Sequence, residues 1–165
     1  MDLILTLGLD ALNFALAIVL VAMGLVIIFG LMNVINMAHG ELFLLGAYTL
    51  VVVQKAGGGF WLGLILAPVV VGLVGLVLEE LIIRHVYRRF LDTILATWGI
   101  SIAIKQAVIL GFGPASYTVD APLQYGVDLF GTTYPAYRLF IMAVAVLVIL
   151  LTLFVFFRTR FGLAA

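Results

Sequence analysis

No cysteine occurs anywhere in the 165-residue chain, which removes disulfide scaffolds, thiolate metal sites and thiol nucleophiles together. Charge is nearly as scarce. Asp, Glu, Lys and Arg make up 10% of the residues, and eight basic side chains balance eight acidic ones. A chain without a basic excess has no field suited to nucleic acid, so nucleic acid is not expected as a partner. The N-terminus lacks the basic region and small-residue cleavage site of a secretory leader, and the apolar run that begins at Ala11 continues for more than 20 residues. It reads as a retained first span.

What the chain has in abundance is apolar surface. Hydrophobic residues account for 66% of it and the mean hydropathy is +1.36, against about 45–50% apolar in soluble domains. A soluble fold is excluded. Because a helix needs about 20 mainly apolar residues to cross about 30 Å of hydrocarbon, the length accommodates about five spans and little else. The expected fold is all-α, a polytopic membrane bundle forming one transmembrane domain over residues 1–165. Its spans fall at about 11–32, 36–54, 60–83, 93–112 and 138–157.

The second segment stands apart. Asn33, Asn36, His39 and Glu41 interrupt the apolar pattern within nine residues, and the apolar run that follows, residues 42–53, is only a dozen long. At 1.5 Å per residue it reaches about 18 Å, short of the bilayer core. It is expected to be a short, interrupted or re-entrant helix. The run Gly57-Gly58-Gly59 then forms a turn, and the third span carries Gly63, Gly72 and Gly75 at spacings that suit close helix packing, with Gly24 and Gly30 offering the same in the first.

Arg84, His85, Arg88 and Arg89 form the densest basic cluster, so the 84–92 connection is expected on the cytoplasmic side. Residues 113–137 contain Asp120, Asp128 and three of the four prolines but no Lys or Arg, and are expected outside. Arg158 and Arg160 flank the last span on the inner side, and the N-terminus is then external.

Polar groups at membrane depth are costly unless they face packed protein, a partner or water, so they nominate a pathway. Asn33, Asn36, His39, Gly40 and Glu41 are one such group. They serve equally as structural elements, the Asn side chains capping helix ends and Glu41 favoured by the positive end of the helix that begins there. Lys105, in the middle of the fourth span, needs a partner, water or a tilt. Thr97, Trp98, Ser101, Lys105 and Gln106 could form one partly polar helix face at spacings of three, four and seven. Glu79 and Glu80 precede Arg84 and His85 by about one turn, as surface pairs do.

Two patterns resemble catalytic motifs. His39-Gly40-Glu41 lacks the second His of a zinc helix, so no metal site is expected. Gly99-Ile100-Ser101-Ile102-Ala103 approaches Gly-x-Ser-x-Gly but ends in Ala, and no His follows Ser101 to act as base. An enzyme is not expected.

Specific stretches do resemble a known family, the permeases of branched-chain amino acid and urea ABC importers. They are Phe29-Gly30-Leu31-Met32, then Ile35-Asn36-Met37-Ala38-His39-Gly40-Glu41, then Leu45-Gly46-Ala47-Tyr48. Arg84-His85-Val86-Tyr87, Leu95-Ala96-Thr97-Trp98-Gly99-Ile100-Ser101, Phe112-Gly113-Pro114 and Arg158-Thr159-Arg160-Phe161-Gly162-Leu163 look most like the urea branch. The resemblance implies a subunit of a bacterial-type inner membrane that binds no cofactor itself. It pairs with a second, similar permease, receives solute from an external binding protein, and is driven by two cytoplasmic ATPase subunits. Two departures stand out. The chain stops at Ala165, where relatives continue into a cytoplasmic loop and further spans, which reads as a truncation; and only about ten residues precede the first span, where urea-branch members often carry a long extension. The rival expectation is a passive channel for small polar solutes, with the same polar interruptions acting as a fixed filter.

Overall fold

The computed structural model describes residues 2–32, 35–86, 89–129 and 132–158. In chain order the elements are α1 (Asp2–Met32), α2 (His39–Lys55), α3 (Phe60–Leu78), a π-helical turn (Glu79–Ile83), α4 (Arg84–Val86), α5 (Phe90–Phe112), β1 (Gly126–Leu129), β2 (Thr132–Pro135) and α6 (Ala136–Arg158). Among the described residues, four helical stretches are long and apolar enough to cross a membrane: Leu3–Gly30, Phe60–Val86, Phe90–Phe112 and Ala136–Phe156. The all-α polytopic membrane architecture is therefore present, and α2, with 17 residues, falls short of the length of these four.

Two boundaries and one connection differ from expectation. α1 begins at Asp2 and not near Ala11, because Leu3, Ile4, Leu5, Leu7 and Leu9 extend the apolar helix-forming run with no proline to break it. The third span continues past Ile83 through the π turn to Val86, which leaves Glu80 and Arg84 joined as an ion pair one turn apart. The 113–137 connection contains a hairpin, in which Gly126 pairs with Pro135 and Leu129 with Thr132 in antiparallel register. Its strands are rich in β-branched and aromatic residues.

The chain forms two compact units, residues 1–31 with 121–165, and residues 32–120. In the first unit, the Ala136 N–H donates to the Tyr125 carbonyl at 3.0 Å and ties α6 to the base of the hairpin. Tyr134 is buried and its phenol donates to Asp10 Oδ1 at 2.8 Å. Asp10 is also paired with Arg138. Burial pushes the Tyr134 phenol above its ordinary 10.0, and its bond to the Asp10 carboxylate raises it further. Elsewhere this unit presents Leu and Val outward, with Ile4 at 77% and Leu147 at 62% exposure, as expected of helices whose solvent is lipid.

In the second unit, α2 and α3 form a helical hairpin closed by Gly57 at φ 82, a left-handed conformation that glycine adopts without penalty. Gly63 lies against α2, so that a Cβ there would sit 3.1 Å from Leu50 Cγ and 3.3 Å from Leu50 Cα. Gly63 thus permits the close approach expected of small residues. Gly72, Gly75 and Gly30 do not, since a Cβ at each would meet nothing within 4 Å. The interior of this unit is unusual for its polarity. Glu41, Thr93, Thr97 and Ser101 are buried together with Val51, Phe60, Ile100 and Val108, while Leu110 and Leu95 point outward.

Candidate functional site: a polar seam between α2 and α5

Polar side chains recur every fourth residue of α5: Thr93, Thr97 and Ser101, all buried, and then Lys105, whose side chain is exposed. That spacing places them in one row along the helix. Thr93 directs its hydroxyl to the carbonyls of Val86 (2.9 Å) and Arg89 (3.0 Å), which closes the start of α5. Thr97, with no exposed surface, has its hydroxyl 2.9 Å from the Thr93 carbonyl and accepts the Met37 N–H at 3.2 Å. Residues 35–38 are not helical, so their backbone groups need partners outside a helical ladder. Thr97 supplies one of them.

Asn36 supplies another. Its Oδ1 accepts the Ala38 N–H at 2.9 Å, and its carbonyl accepts the His39 N–H at 3.2 Å. Asn36 therefore turns the chain locally and does not cap α2; the N-cap position belongs to Ala38, which has no side-chain cap bond. Asn33 lies outside the described residues.

Glu41 is the third residue of α2 and 9% exposed. A buried carboxylate requires partners that offset its lost hydration, and α5 provides two. Ser101 Oγ donates to Glu41 Oε1 at 2.5 Å, and Lys105 Nζ lies 3.1 Å from the same oxygen. The partner that Lys105 needed is thus Glu41.

These contacts also set the depth at which α2 begins. Met37 meets Thr97, Glu41 meets Ser101, Tyr48 meets Phe112 and Gln54 meets Asp120, so α2 and α5 advance in parallel. Ser101 is the twelfth of 23 residues in α5. The first turn of α2 therefore lies level with the midpoint of α5, about 17 Å from where α5 starts. A helix that starts partway along its neighbour and ends beside the segment after it can be shorter, and α2 has 17 residues against 23 in α5.

A family model described as the permease component of a branched-chain amino acid transport system matches residues 8–165. The chain belongs to that permease family. No match is found among curated proteins or among solved structures. As a permease component it is a transport protein of the membrane that works with other components of its system.

Of the residues expected to share one face of this permease's α5, Thr97, Ser101 and Lys105 do so. Trp98 does not: it is 55% exposed, because one residue along a helix is a rotation of about 100°. Gln106 is exposed as well. On α2, His39 packs its ring edge-on against Phe43 with centroids 5.2 Å apart, and Gly40 is exposed. Among the described residues no group of three or more His, Cys, Asp or Glu could hold a metal ion. Thr93 was missed by sequence reasoning although the four-residue period of hydroxyls pointed to it.

The seam ends in an aromatic cluster. Tyr48 lies 4.7 Å from Phe112 and 6.1 Å from Tyr117, centroid to centroid. The Tyr117 phenol donates to the Phe112 carbonyl at 2.7 Å, and Lys55 Nζ sits 3.8 Å above the Tyr117 ring. Gln54 then makes a reciprocal pair with the backbone of Asp120, donating to its carbonyl and accepting its N–H, both at 3.1 Å.

Proposed function

We propose that this permease component carries urea, a branched-chain amino acid or a related small amide across the inner membrane as part of an ATP-driven importer. The observation that supports this most directly is the start of α2 at the mid-depth of α5, beside Glu41, Ser101 and Lys105. Discontinuous helices that open at the bilayer midplane are how transporters place polar groups along a path. Glu41 and Lys105 cancel in charge, and the seam then offers a net-neutral solute both donors and acceptors. The urea-like motifs around Thr97 and Phe112 favour urea within that class.

In this reading the subunit performs no chemistry on its cargo. It pairs with a second, similar permease, takes solute from an external binding protein, and responds to two ATPase subunits that bind and hydrolyse the ATP. The basic connection around Arg84 and Arg89 faces the cytoplasm, and the hairpin faces outward. Closure of the ATPases shifts the permease pair between outward-open and inward-open states.

The test is uptake by the assembled transporter in proteoliposomes, with labelled urea and leucine measured separately. ATP-dependent accumulation of either solute supports the importer. Equal flux with and without ATP would make the permease a passive channel, and accumulation of neither solute would remove the proposed cargo.

A further inference from the structure

We propose that residues 113–120 form a strap that closes the α5 C-terminal end of the seam, and that it must lift before solute reaches Glu41. The inference rests on the reading of the α2–α5 seam as a pathway. Tyr48 lies two helical turns beyond Glu41 on α2, about 10 Å along the axis, so the cluster of Tyr48, Phe112 and Tyr117 stands between the polar row and this end of the seam. Tyr117 is contributed by the strap itself. Removing the strap therefore removes one wall of the aromatic cluster.

The attachments are those of a movable part. The strap has no helix or strand of its own. It leaves α5 at Gly113, whose φ of 83 is reached freely only by glycine, and Pro114 follows directly. Its far end is held by the Gln54 amide, which pairs with the Asp120 backbone as a neighbouring strand would. Between these points Tyr117 is tied to α2 by Lys55 over its ring and by its edge contact with Tyr48, and to α5 by its phenol's bond to the Phe112 carbonyl. Both Tyr117 and Asp120 are exposed, so each bond can be exchanged for water at small cost. None of the ties is covalent or deeply buried, yet together they hold the aromatic cluster shut.

Because the chain contains no cysteine, a pair introduced as Gln54→Cys and Asp120→Cys is the only one it carries. A bis-methanethiosulfonate cross-linker, which forms a disulfide with each cysteine as methanesulfinate leaves, should on the assembled transporter reduce ATP-dependent uptake at least tenfold relative to the same protein before linking. Reductant should restore it. Complete linking with uptake within twofold overturns the strap. A second measurement needs no transport: Ser101→Cys, treated with a small membrane-impermeant thiol reagent, should react at least tenfold faster when Tyr117→Ala is added. An unchanged labelling rate overturns the proposal. If the unsubstituted assembly moves neither urea nor leucine, the pathway reading fails, and the labelling rate alone decides the strap.

Discussion

Ser101 and Glu41, sixty residues apart in sequence, share one 2.5 Å hydrogen bond in which the hydroxyl donates to the carboxylate. Lys105 meets the same carboxylate oxygen at 3.1 Å. These contacts hold the first turn of α2 against the middle of α5 and set an exposed ammonium beside a buried carboxylate. Their consequences for stability and transport are specific enough to measure.

Lys105→Met leaves the Glu41 carboxylate with Ser101 alone. The Lys105 side chain is 60% exposed, and screening at that exposure keeps such a pair near 1 kcal/mol. Lys105→Met and Glu41→Gln should each lower the thermal midpoint of the purified permease in detergent. The double variant should be more stable than the sum of the two losses predicts, by about 1 kcal/mol. Strict additivity would mean that the pair does not form.

Thr97→Val keeps the shape of the side chain but takes away the acceptor of the Met37 N–H. An amide left unsatisfied inside protein costs about 1–3 kcal/mol, and Thr97→Ser should recover most of it. Hydrogen exchange at Met37 should accelerate in the Val variant and not in the Ser variant. Trp98→Leu, one residue further along on the exposed face, should change stability by no more than about 0.5 kcal/mol and leave solute uptake intact.

Gly63 and Gly72 both lie in α3 but differ in what a side chain would meet. Gly63→Leu drives into Leu50 and should separate α2 from α3, with a loss of about 1–3 kcal/mol. Gly72→Ala meets nothing within 4 Å and gains helix propensity, so it should be neutral or stabilising by up to about 1 kcal/mol. The thermal midpoint should fall in the Gly63 variant and hold or rise in the Gly72 variant.

Tyr134 should titrate above the ordinary 10.0, since burial and the Asp10 carboxylate both disfavour its anion. A group whose pKa is higher in the folded state stabilises the fold below its unfolded pKa and loses that contribution as pH rises through the folded value. The permease should therefore lose stability on the alkaline side of pH 10. Asp10→Asn removes the second cause and should move the phenol's titration down, though not to its ordinary value. Ultraviolet difference spectra against Tyr134→Phe isolate this phenol from the other five.

Much of this architecture is written locally. Whether a segment partitions into lipid depends on its own composition, so the spans around α1, α3, α5 and α6 are legible as apolar runs, and the break at residues 33–41 is visible as a cluster of polar types. Gly57 is legible for the same reason, because a left-handed turn selects glycine wherever the residue sits in the fold. The three- and four-residue spacings of α5 likewise place Thr97, Ser101 and Lys105 on one face and extend to Thr93.

Tertiary structure alone decided the rest. Hydropathy carries no depth, so nothing along residues 39–55 says that α2 begins level with Ser101; that comes from contacts such as Glu41–Ser101 and Tyr48–Phe112, each between residues sixty or more apart. The choice of Glu41 as the partner of Lys105, the turn role of Asn36, the outward rotation of Trp98 and the clasp of Gln54 on Asp120 are pairwise facts of the same kind. A sequence states which groups need partners in a low-dielectric interior, and only the packed chain states which of them meet.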